Sequence, residues 1–550
     1  MHRIRFIIIV FCYFQCPVFA QLASYKVIPD QEMELSDGTL LAHDLYLPVT
    51  GSSHPSILIR TPYGKEGSSV FAVHFATHGF AVVVQDVRGK GASKGVFTPF
   101  VNEKKDGYET LDWMNHQKWS NHRIGLWGSS YLSFCALSLA DSGHPALKGI
   151  FNLSGWIDGS KVNYPGGAFH QMLIIPWLLS DGQTSLLSEA GADLDEMFAH
   201  TPLKEAIPGG GALFKRSDGS KISLTELAAP FNYSNVDVPI FHMNGWYDFT
   251  TPSTLDAYTA LNVHSKSKQH LVLGPWYHNQ IYDEYFELGD YQIPNVGQMT
   301  IPAFLAKVTY WFDYTLNQKA LDMGMEGNIR YYVLFLDQWK SAKQWPPQNR
   351  ISPFYLNDGN ELSLSIPQEL DASSTFEYDP STPTPTLGGA NFFLFSDKIG
   401  IKNQQQIEER KDVLLFTTPV FEEDNIIAGD ISVDLFVETT GKSADFTAKL
   451  TLVDKSGVSR NIIDGIQRIS PKALQAGVNS ISIELGAIAF SVSKGERLRL
   501  QISGSNYPKF NRNPSTEVEP LKALILKKAQ QTVYHSKRYP SKINIPFLKN

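Results

Sequence analysis

A chain of 550 residues, 43% hydrophobic and 19% charged, has the composition of a folded protein long enough for several domains and large cores. Its formal charge of −7 at pH 7 is spread along the chain with no long basic run. That balance argues against nucleic acid or an anionic membrane surface as the main partner.

The chain opens on "MHRIRFIIIVFCYFQCPVFAQ": His2, Arg3 and Arg5, an apolar stretch, then "VFA" before Gln21. This order predicts a secretory signal peptide over 1–20, cleaved after Ala20, and hence a secreted or periplasmic protein. The apolar run is too short to span a bilayer comfortably, so no membrane insertion is expected once the signal is removed. Cys12 and Cys16 would leave with it. Cys135 remains, which forms no internal disulfide and leaves stability to buried cores.

"PSILIR" and "GFAVVVQD" are branched apolar runs bounded by turn residues, as buried parallel strands are. "EKKDGYETLDWMNHQKW" carries helical spacing at Tyr108, Leu111 and Met114, and the strand-like "RIGLW" follows it. Beyond that, "YLSFCALSLADSGHP" reads as a helix stopped by Gly143 and Pro145. The alternation predicts an α/β core over 21–154. It resumes over 237–327 with "VPIFHMNGWYD", "QHLVLGPWYH" and a closing helix, "PAFLAKVTYWFDYTLNQ". The intervening 155–236 reads as a helical insertion that caps the sheet. From 328 to 550 the pattern turns to period two. Ile431, Val433, Leu435 and Val437 face one way, and Leu498, Leu500 and Ile502 alternate with Arg497, Arg499 and Gln501. Strands of this kind, separated by Gly, Pro and Asn turns, predict a β-sandwich.

Two serines stand side by side in "GLWGSSYLSF", where strand gives way to helix. Such a corner lifts a nucleophilic serine clear of its sheet. Ser130 has a glycine two places before it, whereas Ser129 has Trp127 there. The generic G-x-S-x-G pattern also wants glycine two places after the serine, where Leu132 stands. Spacing alone therefore leaves an ordinary strand–turn–helix corner open.

A serine nucleophile needs a base, and the base an orienting acid. In α/β-hydrolases both follow the serine, acid first, each at the carboxyl end of a strand. Asp248 ends "VPIFHMNGWYD" and His278 ends "QHLVLGPWYH", in that order. Asp158, Asp256, His242 and His270 compete, but both histidines fall inside or before strands, where core or surface roles are expected. Alone, Asp248 is a turn carboxylate and His278 a loop histidine; their joint order points to catalysis.

A tetrahedral intermediate also needs donors aimed at its oxyanion. The backbone N–H of Tyr131 is one expected donor. Tyr63, in the loop after "ILIR", supplies a hydroxyl for the second, or equally an aromatic plug at the sheet edge. Trp156, Trp177 and Phe249 are candidates for an aromatic acyl pocket, although aromatic residues in a cap are more often core than pocket. "GKGASKG" lacks the spacing of a phosphate-binding loop and no metal-ligand cluster is legible, so neither cofactor nor metal is expected.

Together "WGSSYLS", "RTPYGK", "VVVQDVRGKGASKGVFTPF", "NGWYD" and "LVLGPWYH" resemble the cocaine esterase and X-Pro dipeptidyl-peptidase family. Its relatives include α-amino-acid ester hydrolases and glutaryl-cephalosporin acylases. The likeness continues through "QWKSAKQWPP", "FYLNDG", "DPSTPTPTLGG" and "NYPKFNRNPST", and so covers nearly the whole mature chain. It implies an α/β-hydrolase core, an inserted helical cap and a C-terminal jelly roll that walls the active site. It also implies a serine hydrolase that cleaves ester or amide bonds of a small acyl substrate or short peptide through an acyl-enzyme. X-Pro dipeptidyl-peptidase and α-amino-acid ester hydrolase activities are alternatives within the family. A non-catalytic binding protein is the remote one, and a homo-oligomer is left open.

The family elbow is G-x-S-Y-x-G, whose second glycine lies three places after the serine. On that register Ser130 is the nucleophile and Ser129 the variable residue. Ser133 stands where the family has glycine. A small residue is wanted there for close helix packing, so serine is expected to be tolerated. By the same resemblance Asp248 is the orienting acid, His278 the base, and Tyr63 with the Tyr131 amide the oxyanion donors. Asp86 and Arg88 belong to a structural loop. Members that prefer α-amino acyl groups carry acidic residues directly after the catalytic aspartate. Here Phe249, Thr250 and Thr251 follow, with Asp158 or Glu189 in the cap as compensating candidates. No advantage for a free α-amino group is expected. Nor is the extra N-terminal helical domain of the large X-Pro dipeptidyl-peptidases, since the core begins close to Ala20.

Overall fold

The computed structural model describes residues 25–180, 193–206, 231–280, 286–321, 327–392 and 398–549. The predicted signal peptide, Glu189 and much of the predicted cap insertion lie outside them. Among the described residues, no helix is long and apolar enough to cross a membrane.

The first sheet begins with β1 (Tyr25–Glu34), β2 (Leu40–Pro48), β3 (His54–Thr61), β4 (Ala81–Asp86) and β5 (Ser120–Ser129). It continues with β6 (Leu147–Leu153), β7 (Ile240–Tyr247) and β8 (Gln269–Tyr277). After a two-residue hairpin, β9 (Glu287–Leu288) with β10 (Tyr291–Gln292), come β11 (Ile329–Val333) and β12 (Gln338–Ala342). The spatial order is β1-β2-β4-β3-β5-β6-β7-β8-β11-β12. From β4 through β11 the neighbours are parallel. Every residue of β4 and β7 is buried, as strands covered by helices on both faces require.

Helix α1 (Ser69–Thr77) and the helix Ile301–Asn317 cover one face through Phe75, Phe304, Trp311 and Phe312. The other face carries α2 (Glu103–Asn115), α3 (Tyr131–Leu137) and the helix Thr251–His264, through Leu111, Met114, Leu137 and Leu261. Two strand glycines let the helix Ile301–Asn317 lie close. A Cβ at Gly125 would stand 2.5 Å from the Phe312 ring, and one at Gly149 2.7 Å from Thr315. Helix α3 is shorter than its sequence suggests: regular structure ends at Leu137, and turns carry the chain on through Ser142.

The first sheet continues past 328, where the period-two pattern begins. Strand β11 pairs in parallel with β8 (Ile329↔Leu271, Tyr331↔Leu273), and β12 pairs with β11. Both extend the first sheet. The second sheet starts at β13 (Asn349–Asn357) and runs to the strand Lys542–Leu548. Among the described residues it has eleven strands, antiparallel at every junction but one. Ile431, Val433, Leu435 and Val437 are buried on its inner face, as are Leu498, Leu500 and Ile502.

Between the sheets, the Leu334 N–H donates to the Ala489 carbonyl and the Ser491 N–H to the Leu334 carbonyl, each at 3.0 Å. The Trp246 indole donates to the Tyr332 carbonyl at 2.7 Å. Trp345 packs 5.7 Å from Trp246 and 5.5 Å from Tyr331.

Cys135 is buried under the elbow in α3, and burial pushes its thiol well above the ordinary range. A thiol reagent at pH 8 is therefore expected to leave Cys135 unlabelled in the native protein and to label it after unfolding, read by mass spectrometry. Labelling at equal rates in both states would contradict this burial.

Candidate active site

Strand β5 ends at Ser129, and α3 begins at Tyr131. Ser130, between them, has φ 57° and ψ −122°, a left-handed conformation that costs an L-residue roughly 1–3 kcal/mol. The surroundings hold it there. Its N–H donates to the Leu153 carbonyl at the end of β6 (2.9 Å), and its carbonyl accepts from Phe134 N–H (3.0 Å).

Gly128 is required two places earlier. A Cβ there would lie 2.2 Å from the Leu132 carbonyl carbon and 2.4 Å from the Ser133 nitrogen. Ser133 fits for a specific reason. Its hydroxyl donates to the Gly128 carbonyl at 2.7 Å and accepts from Leu153 N–H at 3.0 Å. Room for it comes from Gly155, where a Cβ would meet the Ser133 Cβ at 2.4 Å.

Asp248 follows β7 and His278 follows β8, each 1% exposed. The His278 Nε2 lies 3.0 Å from the Ser130 Oγ, and its Nδ1 2.9 Å from both oxygens of Asp248. An ionised carboxylate only accepts, so the Nδ1 carries the proton and the Nε2 presents its lone pair to the serine. Thr250 fixes the carboxylate, its N–H and hydroxyl donating to Oδ1 at 2.9 and 2.8 Å. Ser129, beside Ser130, lies within hydrogen-bond reach of Asn279, beside His278 (2.9 Å). Such an arrangement can pass a proton from a serine hydroxyl to an imidazole held in one tautomer.

Tyr131 contributes in two directions. Its ring is buried, its hydroxyl donating to the Glu103 carboxyl at 2.5 Å and accepting from Phe100 N–H at 2.9 Å. Burial raises both Tyr131 and Glu103 above their ordinary values. Its backbone N–H, at the first helical position, has no acceptor within the helix. Tyr63 lies in the loop after β3, its ring 6.3 Å from that of Tyr131, and its hydroxyl accepts from the Trp177 indole N–H at 3.1 Å.

Trp156, Trp177 and Phe249 belong to one aromatic cluster. Phe100 lies at its centre, 4.8 Å from Tyr131, 5.0 Å from Phe134, 5.9 Å from Trp156 and 5.8 Å from Trp177. Phe249 packs on the His278 ring at 4.4 Å, with Phe392 from beyond the first sheet 6.0 Å away. Phe100, Phe134 and Phe392 escaped the sequence reading, as did Asn279 and Glu103, because no periodicity or spacing marks them. Thr250 carried a faint signal, being a hydroxyl residue two places after a turn aspartate.

The competing residues are occupied elsewhere. His242, hydrogen-bonded to Asn152 at 3.0 Å, is pushed down to about 3 by burial, and His270 to about 4. Asp256 pairs with Lys161 at 2.7 Å, and Asp158 caps its own turn through Ser160 N–H at 2.8 Å. In the Asp86–Arg88 loop, Asp86 accepts from Ala92 N–H at 3.0 Å, and Arg88 grips Asp106 at 2.8 and 2.7 Å.

Comparison with known proteins agrees along the chain. Residues 37–280 match the family model of the X-Pro dipeptidyl-peptidase (S15 family), and residues 323–544 match that of the X-Pro dipeptidyl-peptidase C-terminal non-catalytic domain. The cocaine esterase of Rhodococcus sp. (strain MB1 Bresler) is 29% identical, over 96% of this chain and 99% of its own. An α-amino acid ester hydrolase structure superposes with a TM-score of 0.78 at 22% identity, covering 98% of this chain and 99% of its own. An aminopeptidase from a marine sediment Thaumarchaeota archaeon also gives 0.78 at 22%, covering 96% and 97%. With both halves matched in order, the chain belongs to the cocaine esterase and X-Pro dipeptidyl-peptidase family of serine α/β-hydrolases.

Proposed function

We propose that the chain hydrolyses esters or amides of neutral acyl groups, with Ser130 as nucleophile, His278 as base and Asp248 as its orienting acid. The observation that carries this reading is the unbroken hydrogen-bond path from Ser130 through His278 to Asp248 at the strand–helix elbow. The Ser130 Oγ attacks the substrate carbonyl carbon as its proton passes to the His278 Nε2. The carbonyl oxygen becomes an oxyanion, received by the Tyr131 N–H and the Tyr63 hydroxyl. The imidazolium then protonates the departing alkoxide or amine, the carbonyl re-forms, and the acyl-enzyme remains. Water, deprotonated by the same nitrogen, releases the acid and restores the serine. A fluorophosphonate probe tests the assignment: one equivalent on Ser130 supports it, and absence of labelling would sink it.

Export after removal of residues 1–20 is part of the same proposal, as is reading the C-terminal sheet as a jelly roll. Recovery of secreted protein beginning at Gln21 would test the export.

The preference for neutral acyl groups rests on the residues after Asp248. Phe249 lies on the His278 ring, while the Thr250 and Thr251 hydroxyls turn inward to Asp248 and to the Gly245 carbonyl. None offers a counter-charge to an ammonium group, which is costly to bury unpaired. Esters that differ only by a charged α-amino group are expected to be hydrolysed within about tenfold in kcat/KM, or ~1.4 kcal/mol in the transition state. A larger preference for the amine would favour the α-amino-acid ester or dipeptidyl-peptidase reading.

A further inference from the structure

The contact between Trp177 and Tyr63 links two parts of the protein. Trp177 lies on the cap helix Gln171–Ser180, and Tyr63 in the loop after β3. An indole N–H donates and cannot accept. In the 3.1 Å contact the Tyr63 oxygen is therefore the acceptor, and its own single proton must point to another group. The indole is held in place by stacking, 6.0 Å from Tyr131 with planes 10° apart and 5.8 Å from Phe100. The loop that carries Tyr63 is tied locally, the Tyr63 backbone N–H donating to the Thr61 hydroxyl at 3.0 Å.

We propose that Trp177 is a positioning residue for hydrolysis: its indole N–H fixes the Tyr63 hydroxyl so that the phenolic proton faces the developing oxyanion. The inference rests on Tyr63 being an oxyanion donor. A hydroxyl that accepts one hydrogen bond donates a stronger one, because the two polarise each other. The gain grows as charge builds on the substrate oxygen, so it falls on turnover more than on ground-state binding. The cap thereby becomes part of the catalytic geometry as well as a wall. A cap helix moved off the core would leave the Tyr63 proton free to turn away.

The test is a double-mutant cycle in Trp177→Phe and Tyr63→Phe, with p-nitrophenyl acetate, whose acyl group is too small to need an aromatic wall. Phenylalanine keeps a ring in the cluster and removes the N–H. With Tyr63 present, Trp177→Phe is expected to lower kcat about tenfold with little change in KM. In the Tyr63→Phe background it should change kcat less than about twofold, since the group it acts through is gone. Equal losses in both backgrounds would show packing alone and overturn the proposal, and so would a change confined to KM. If Tyr63→Phe by itself leaves kcat unchanged, Tyr63 is no oxyanion donor and this inference falls with that assignment. If Tyr63→Phe lowers kcat but the two effects simply add, only the role of Trp177 fails. Should Trp177→Phe not fold, Trp177→His, which retains a ring N–H, replaces it against Trp177→Leu. Higher kcat for histidine only when Tyr63 is present supports the proposal, and equal kcat overturns it.

Discussion

Ser130→Ala is expected to lower kcat by about 10⁴-fold or more while the protein stays folded, since among the described residues no other hydroxyl is hydrogen-bonded to the His278 Nε2. The substitution removes one oxygen from a turn whose backbone is held by Leu153 and Phe134. Thermal unfolding and the far-ultraviolet spectrum should therefore match the parent, and fluorophosphonate labelling should vanish. Ser129→Ala is the control. Its hydroxyl meets Asn279, the neighbour of His278, so a loss of no more than about tenfold is expected from a loosened His278 loop. Were Ser129→Ala the dead variant and Ser130→Ala active, the nucleophile would be wrongly assigned.

Asp248→Asn should cost about 10⁴-fold in kcat, and the neighbouring threonine explains the size. Thr250 donates twice to Oδ1, through its N–H and its hydroxyl. An asparagine is held with its carbonyl oxygen toward those two donors, which turns its NH₂ toward the His278 Nδ1. That nitrogen must then accept, the imidazole proton moves to Nε2, and the ring no longer offers a lone pair to Ser130. Single-turnover kinetics should show slow acylation with substrate binding retained. A variant within tenfold of the parent would remove Asp248 from the mechanism.

Much of this site could be read in advance because strand ends are legible. Branched apolar runs such as "GFAVVVQD" and "VPIFHMNGWYD" end in turn residues, and Asp248 and His278 stand where two of them stop. The order of serine, acid and base is a property of the chain and survives without coordinates. What could not be read depends on groups far apart in sequence. Strand β11 looks like any apolar strand, and only pairing with β8 assigns it to the first sheet. Phe100 reaches the aromatic cluster through a backbone φ of 66° in a loop, and no apolar period marks that position. Phe392 comes from beyond the first sheet altogether. The fit of Ser133 depended on Gly155, 22 positions later, which lies on the far side of β6 in the chain.

The shared seam between the two sheets bears on how this protein can be divided. A fragment ending at 328 would lose β11 and leave β8 as a bare edge, its backbone groups open to pairing with another chain. It would also strip the Trp246 indole of its acceptor on Tyr332 and of its neighbour Trp345. The C-terminal strands, cut free at the same point, would carry β11 and β12 away from the sheet they complete. The catalytic half and its companion are thus poor candidates for exchange as modules: a graft would have to take the strand Ile329–Val333 and the Leu334 contacts with one half and rebuild them on the other.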